Sequence, residues 1–275
     1  MKSGWQLQIF NRSLKKRQKF EVVTSLMNST EDKEGGILPS FRKCLDIGCA
    51  TGVLSYYLRN EGGYWISVDI DEKNLSETKG LVKDNVLQID ERNLSFKDGI
   101  FDCVVALDFL EHIEDDDALL SEIRRVLKPK GKVYISVPRI GGLLIINKLK
   151  RLIGITQEYY GHKRPGYSFE ELSNKLEKNG FEILAQRTFS KFFTEAIELV
   201  INLVYILLSK RKGGAFRREG QHISISSAWE FETHKASFKL YSLLYPLLEL
   251  ISKLDKLLFF APGYVLVVKA RKDGN

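Results

Sequence analysis

A glycine-containing loop is the part of this sequence whose residue types and spacing are best suited to chemistry. The heptapeptide Asp46–Gly52 (DIGCATG) follows a short apolar run and precedes a helix-like segment. Glycine has no Cβ, so Gly48 and Gly52 allow backbone N–H groups to approach a ligand closely. The glycines do not spell GxGxxG, and Asp46 would repel a pyrophosphate, which disfavours a nicotinamide or flavin dinucleotide. A simple strand-to-helix turn is the alternative explanation for this stretch taken alone.

Two further aspartates follow at the ends of apolar, strand-like runs. Asp69 comes 23 residues after Asp46, and Asp90 comes 21 residues after Asp69. A carboxylate at the first of these positions can accept hydrogen bonds from both hydroxyls of a ribose, and one at the second from an adenine amino group. Taken singly, each aspartate is more simply explained as a turn or cap residue. Three acids at three successive strand ends, the ligand-binding edge of a parallel sheet, favour a nucleoside site.

Histidines and carboxylates that could move a proton or hold a metal lie further along the chain. His112 and His162 are two of only four histidines, and an imidazole that titrates near neutral pH can accept a proton from a phenol or hydroxyl group. A hydrogen-bonded structural histidine is the alternative at either position. Asp108, Glu111 and His112 form the pattern D-x-x-E-H, in which two carboxylates and an imidazole could bind a hard divalent cation.

The elements that would position these residues alternate between strands and helices. Strand-like runs lie at residues 44–47, 64–70, 86–89, 101–107, 132–137, 181–189 and 263–271. Helical segments lie at residues 53–60, 115–127 and 169–179. This alternation indicates βαβ units. The sequence therefore predicts an α/β fold with a doubly wound, mostly parallel, seven-stranded sheet.

The chain divides into three predicted regions. Residues 41–189 with 263–272 form the α/β domain, residues 1–40 an N-terminal helical segment, and residues 190–262 a helical insertion between the last two strands. Within the insertion, residues 192–208 and 238–260 keep their polar side chains at helical spacing, which predicts two helices with wide apolar faces. The basic residues between these helices are Lys210, Arg211, Lys212, Arg217 and Arg218.

Composition and charge limit the classes of protein. The chain has 275 residues, 44% of them apolar, and three cysteines without CxxC spacing. These values exclude collagen-like and broadly disordered proteins and disfavour a disulfide framework or a zinc ribbon. With no signal-peptide pattern and no 18-residue apolar run, we expect a cytoplasmic chain. The net charge of +7 is concentrated late in the sequence among aliphatic residues, which favours an anionic membrane surface as partner over nucleic acid.

The motifs, taken together, resemble the class I S-adenosylmethionine-dependent methyltransferases, and in particular the ubiquinone-pathway-like branch. The matching text runs from LDIGCATG through VDI and LEH to LKPKGKVYISVP, between residues 45 and 138. Residues 169–181 resemble the family's unit before the sixth strand. The D-x-x-E-H pattern is similar to the E-x-x-E-H metal-binding pattern of ubiquinone-pathway O-methyltransferases, with Asp108 in place of the first glutamate.

The resemblance implies S-adenosylmethionine as cofactor and assigns seven residues to it: Asp46, Gly48, Gly52, Asp69, Ile70, Asp90 and Leu107. The first three would line the methionine end, the next aspartate the ribose and the isoleucine one face of the adenine. The third aspartate would accept from the adenine amino group, and the leucine would lie near the sulfonium and its methyl group.

We therefore expect a methyltransferase that acts by in-line displacement, with His162 and His112 as candidate general bases. The expected acceptor is an amphiphilic or lipid-like molecule, methylated on oxygen at the cytoplasmic face of a membrane. Two alternatives stay open: a soluble metabolite or glycan precursor with the insertion as a lid, and a non-catalytic adaptor that keeps the fold. The sequence does not specify the acceptor, the methylated atom or the oligomeric state.

Overall fold

The computed structural model of the chain describes residues 4–29, 38–140, 145–152, 161–211 and 227–274. The strands are β1 (Leu38–Ile47), β2 (Gly62–Asp69), β3 (Val86–Gln88), β4 (Phe101–Leu107), β5 (Leu127–Pro138), β6 (Phe181–Phe189) and β7 (Val265–Lys272). The helices are α1 (Trp5–Phe10), α2 (Leu14–Met27), α3 (Val53–Asn60), α4 (Glu72–Val82), α5 (Asp116–Val126), α6 (Ile145–Leu152), α7 (Phe169–Lys178), α8 (Phe192–Arg211), α9 (Ala228–Thr233) and α10 (Lys235–Ser252).

The seven strands form one sheet in the order β3-β2-β1-β4-β5-β7-β6. Strands β1 to β5 pair in parallel, whereas β7 is antiparallel to both β5 and β6. Strand β6 therefore runs in the same direction as β1 to β5, and its carboxyl end lies at the same edge of the sheet. The predicted doubly wound, mostly parallel, seven-stranded sheet is confirmed.

Each face of the sheet is covered by helices, because alternate strand residues enter separate apolar clusters. In β4, Val104 and Ala106 pack with the apolar residues of α5 and α7. Cys103, Val105 and Leu107 point the other way, into a cluster shared with α2 and α3. The carboxyl end of β4 is thus fixed on both sides, which holds its last residue in a defined position.

Several element boundaries differ from the sequence prediction. Strand β1 begins at Leu38, inside the segment predicted to be helical up to residue 40. Strand β5 begins at Leu127, because residues 128–131, whose proline and glycine look like a turn, form an irregularity within the ladder opposite β4. The sequence prediction had no counterpart for α4, whose apolar residues are too few to give a clear helical stripe.

The described part of the insertion contains α8, α9, α10 and a 3₁₀ turn at Lys253–Leu257. The second predicted helix is shorter than expected, since α10 ends at Ser252 and the tighter turn follows. The predicted basic cluster between the two long helices lies outside the described side chains, and its backbone is described only as far as Arg211. Within the described ranges, no helix combines the length and the apolar content that a membrane span requires.

The predicted polar stripe of α8 faces the protein interior. Glu195 is fully buried and forms ion pairs with Lys15 of α2 and Lys150 of α6, each at 2.6 Å. Its carboxylate also accepts a 2.6 Å hydrogen bond from the hydroxyl of Ser190. The charged side chains of α8 therefore join the N-terminal segment to the insertion.

Candidate active site

The loop after β1 has a backbone conformation that requires glycine at both predicted positions. Gly48 and Gly52 have φ angles of +74° and +78°, which are unfavourable for residues with a side chain. A Cβ on Gly48 would lie 2.4 Å from the Phe109 ring, and one on Gly52 would lie 2.8 Å from the backbone of Thr78. Close packing of the loop against Phe109, just after β4, and Thr78 of α4 therefore requires glycine at positions 48 and 52.

Asp46 lies beneath this loop and is almost completely buried. Its carboxylate accepts hydrogen bonds from the hydroxyls of Ser55, at 2.5 Å, and Ser67, at 3.4 Å. Burial raises the pKa of Asp46 to about 6, although the two serines and the nearby Arg59 lower it in part. The group is held at the base of the loop, and the placement predicted for it beside a cofactor stays a prediction.

Asp69 ends β2 and fastens the loop to its neighbour. One carboxylate oxygen accepts from the backbone N–H of Ala50 at 2.8 Å. The other accepts from the N–H of Asp71 at 3.0 Å and from the side-chain amide of Asn74 at 3.2 Å. A carboxylate offers about four acceptor positions, so the group retains capacity for a further donor.

The other predicted cofactor residues lie along the same edge of the sheet. Ile70 follows Asp69 and is 41% exposed, so its apolar side chain forms surface beside the carboxylate. Asp90 is exposed and caps a turn by accepting from the N–H of Arg92 at 2.8 Å. Leu107, the last residue of β4, is buried. The structure therefore places the three aspartates at the ends of adjacent strands β3, β2 and β1, together with an apolar surface.

Asp108 is turned toward the N-terminal helix. It has a φ angle of +51° and forms an ion pair with Lys19 of α2. The hydroxyl of Ser136 donates a 2.7 Å hydrogen bond to the same carboxylate. Burial alone would favour the protonated acid, but the adjacent ammonium group outweighs it and holds the pKa of Asp108 below its usual range.

Glu111 and His112, on the 3₁₀ turn Leu110–His112, form a compact group with His162 from the segment before α7. Glu111 is fully buried, and among the described residues neither of its carboxylate oxygens has a hydrogen-bond partner. Burial and the charge of Asp108 raise its pKa well above the ordinary value. The rings of His112 and His162 meet edge to face with centroids 4.7 Å apart, and the Nδ1 of His112 lies 3.2 Å from the carbonyl oxygen of Gly161.

This arrangement differs from the predicted D-x-x-E-H ligand set. One ligand atom from each of Glu111, His112 and His162 lies within 4.8 Å of the others, a spacing that could hold a metal ion. Asp108 is absent from this group because Lys19 and Ser136 engage its carboxylate. Sequence spacing did not suggest the contribution of Lys19, since that contact joins distant parts of the chain; His162 was expected at this sheet edge as a candidate base, not as a ligand.

A surface cavity of about 430 Å³ lies at the opposite edge of the sheet, near the start of β4 and the end of β7. Three of its six lining residues are basic, and one of them, Arg125, is paired with Asp98 at 2.7 Å and with Glu122 at 2.7 Å. The cavity is therefore separate from the loop and the histidines described above.

The fold and this edge define a class of protein: doubly wound α/β proteins that bind a nucleoside-containing ligand where parallel strands end. Residues 45–135 match a family model described as a methyltransferase domain. Together with the fold, this match shows that residues 45–135 form a domain of the class I S-adenosylmethionine-dependent methyltransferase type.

The chain is also similar to individual proteins, at 30% identity or less in the examples that follow. The human mitochondrial protein named arginine-hydroxylase NDUFAF5 is 30% identical over 201 residues, covering 66% of this chain and 57% of that protein. The ubiquinone biosynthesis O-methyltransferase of Dechloromonas aromatica is 30% identical over 101 residues, covering 34% of this chain and 44% of the enzyme. The chain thus spans about half the length of the curated relatives it matches. A SAM-dependent methyltransferase from Archaeoglobus fulgidus shares the fold, with a TM-score of 0.53, 22% identity and coverage of 92% and 94%.

Proposed function

We propose that this protein transfers a methyl group from S-adenosylmethionine to an oxygen of an amphiphilic, lipid-like acceptor at a membrane surface. The observation that carries the cofactor assignment is the closure of the glycine loop on Asp69 through the N–H of Ala50. This contact leaves a carboxylate acceptor and an exposed isoleucine side by side at one sheet edge, a combination that suits the ribose hydroxyls and the base of a nucleoside. The sulfonium cofactor supplies the activated methyl group, so the protein mainly has to position the reactants.

The cofactor roles follow the sequence prediction. We assign the ribose to Asp69, one adenine face to Ile70 and the adenine amino group to Asp90. Leu107 is assigned to the methyl-bearing end, since it closes β4 next to Asp108. Gly48 and Gly52, with Asp46 beneath them, shape the loop against the methionine portion.

We assign proton removal from the acceptor to His162 and His112. Burial lowers the pKa of His112, so its imidazole is neutral near pH 7 and can accept a proton. His112 follows the end of β4, where the acceptor oxygen would approach the methyl group, and the His162 ring packs against it. Replacement of either histidine by glutamine should lower kcat by about 10²-fold or more while cofactor affinity is retained.

Metal-assisted chemistry is the alternative for the same group. It would use Glu111, His112 and His162 as ligands and would polarise the acceptor oxygen. Metal binding there would have to displace the proton that burial favours on Glu111. We therefore expect turnover to persist in excess chelator; its loss, with recovery on addition of magnesium or zinc, would establish the metal mechanism instead.

The acceptor class is proposed from the insertion and from one relative. The insertion follows β6 directly, at the sheet edge that carries the site, and its outer side is apolar. The name of the Dechloromonas relative, a ubiquinone biosynthesis O-methyltransferase, agrees with an oxygen acceptor on an amphiphilic molecule. We propose a peripheral position on the cytoplasmic face of a membrane for the same reason.

Calorimetry with S-adenosylmethionine and its demethylated product tests the cofactor assignment. Asp69→Ala should weaken binding at least tenfold, since a hydrogen bond to a charged acceptor contributes about 1.5–3 kcal/mol. The exposed Asp84→Ala removes the same charge away from the loop and should leave the affinity unchanged. Failure of the wild type to bind either molecule would overturn the methyltransferase proposal. A methyl-transfer screen of lipid extracts would then identify the acceptor.

A further inference from the structure

Helix α10 and the 3₁₀ turn after it present a continuous apolar face to solvent. Nine large apolar side chains are 40–86% exposed, seven in this segment and two just beyond it, at Phe259 and Phe260. They recur mainly every three or four residues, so they share one side of the helix. Proteins rarely leave this many large apolar side chains exposed on one contiguous face. The residues, hereafter the outer face, are Leu240, Leu243, Leu244, Leu247, Leu250, Leu254, Leu257, Phe259 and Phe260.

The opposite side of α10 is firmly packed. Tyr245 is buried in a cluster with Leu14 of α2 and Ile197 of α8, and Tyr241, Leu248 and Ile251 pack against it. The outer face is therefore exposed on a helix whose other side is packed against the protein. Packing fixes which side of the helix faces away from the protein.

The 3₁₀ turn is also tied to the acceptor side of the site. Asp255 is buried, and its carboxylate accepts from the backbone N–H groups of Lys191, Phe193 and Thr194 at 2.8–3.2 Å. These residues begin α8, immediately after β6 ends at the sheet edge that carries the site. The outer face and this edge are thus linked through one buried carboxylate.

Charge indicates what covers the outer face. Lys239, Lys253 and Lys256 are exposed along the same segment. Of its two acids, Asp255 is buried against the start of α8, and Glu249, whose side chain is 31% exposed, is paired with Arg17. Lysines therefore outnumber the one acid that reaches solvent along this segment. This combination of an apolar face and flanking lysines suits the boundary between anionic headgroups and acyl chains.

We propose that α10 and the 3₁₀ turn lie in the plane of an anionic membrane, with the outer face in the acyl boundary and the three lysines at the headgroups. The inference rests on the membrane location proposed above and names the surface responsible for it. Phe259 and Phe260, the most exposed aromatic pair at the end of the segment, enter deepest.

Flotation of the full chain with vesicles tests the surface. The wild type should float with vesicles that contain phosphatidylglycerol and bind less to pure phosphatidylcholine. Leu243→Gln, Leu247→Gln and Phe259→Gln, combined, should abolish flotation with both lipids. Tyr64→Gln with Phe169→Gln removes exposed aromatic surface from other elements and should float like the wild type.

A second variant separates charge from apolar contact. Lys239→Gln, Lys253→Gln and Lys256→Gln, combined, should weaken binding to acidic vesicles by roughly fivefold for each lysine and leave binding to neutral vesicles unchanged. Lys97→Gln, Lys130→Gln and Lys178→Gln remove the same charge from other exposed positions and should have a smaller effect.

The outcomes distinguish the proposals. Flotation of the wild type that persists in the apolar variant would place the membrane contact elsewhere on the chain. A wild type that stays at the bottom with both lipids, or forms a dimer that the apolar variant lacks, would overturn membrane docking. Cofactor binding is measured separately on every variant, so loss of flotation with intact binding leaves the methyltransferase assignment standing.

Discussion

The carboxylate of Asp69 joins two parts of the site, because one oxygen accepts from the loop after β1 and the other from the start of α4. A ligand that approaches this edge meets a group whose orientation is already fixed. Preorganisation of this kind lowers the entropic cost of binding. Because this carboxylate at the end of β2 bonds both the loop and the start of α4, a change in the loop conformation should alter the positions of all three.

Gly48→Ala should destabilise the fold by at least about 1–3 kcal/mol, the cost of a strained backbone conformation. The added Cβ would also lie 2.4 Å from the Phe109 ring, so the actual loss should exceed this range. Gly80→Ala is the matched control, since Gly80 lies within α4 with open space around it. That change should stabilise the protein by about 0.5–1 kcal/mol. Urea denaturation measures both, and equal stability of the two variants would contradict the loop geometry.

Glu111→Gln should stabilise the protein at pH 8 and change little at pH 4. The pKa of Glu111 is raised on folding, so the folded state holds its proton more tightly than the unfolded state. Wild-type stability therefore falls as the pH rises above about 4.5 toward the folded pKa, and the amide removes this loss. Denaturation at pH 4 and pH 8 tests whether the variant gains stability over the wild type only at the higher pH. Exposed Glu177→Gln serves as control, and an equal effect of both changes would be the contrary result.

The sequence allowed part of this site to be predicted. Asp46, Asp69 and Asp90 were placed at successive strand ends because each follows an apolar run, a local signal. The partners of Asp108 and Glu111 were not predictable in this way. Lys19 and His162 reach the group from α2 and from the residues before α7, and only tertiary packing decides which charged side chains meet.

Between elements, Glu195 is the main polar link. It joins α2, α6 and α8 through Lys15 and Lys150 without contact with solvent. Burial alone would raise the pKa of Glu195, but the two lysines lower it to about 2. The carboxylate therefore remains charged at every physiological pH, and the cluster defines how the N-terminal helix meets the insertion.

Glu195→Gln should destabilise the protein by about 3 kcal/mol at pH 7, because the largely buried Lys150 and the partly exposed Lys15 lose their counter-charge. The folded pKa lies below the unfolded value, so this stabilisation is present above about pH 4.5 and is lost as the pH falls toward 2. Chemical denaturation from pH 3 to pH 7 measures the difference in free energy of unfolding between the wild type and this variant. A combined Lys15→Met, Lys150→Met and Glu195→Leu variant should recover much of the loss. Undiminished destabilisation in that variant would show that the charges are not the cause.

At the level of elements, β4 and β6 were predicted with their observed bounds, because residues 103–107 are continuously apolar and Gly180 separates β6 from α7. The start of β1 was missed because a proline and a serine interrupt its hydrophobic pattern. The apolar character of both insertion helices was recognised, but sequence could not decide which face would be covered. Packing against α2 buries one side of α10 and leaves the other exposed.

For the whole molecule, cofactor binding should be coupled to global stability. A ligand at 100 times its dissociation constant stabilises the folded state by about 2.7 kcal/mol. S-adenosylmethionine at that concentration should therefore raise the Tm of the wild type, and the increase should be lost in Asp69→Ala measured at the same ligand concentration. Thermal denaturation with and without ligand provides the test. An equal increase in both proteins would place the cofactor elsewhere.

The position of β7 has a consequence for how the chain is synthesised. This strand lies between β5 and β6 but follows every other strand in the chain. While the ribosome is still making the insertion, β5 has an open edge and β6 has no partner in the sheet. Open edges of this kind invite pairing with other chains. The free edge of β5 and the whole of β6 therefore stay unpaired until residues 265–272 emerge and close the sheet.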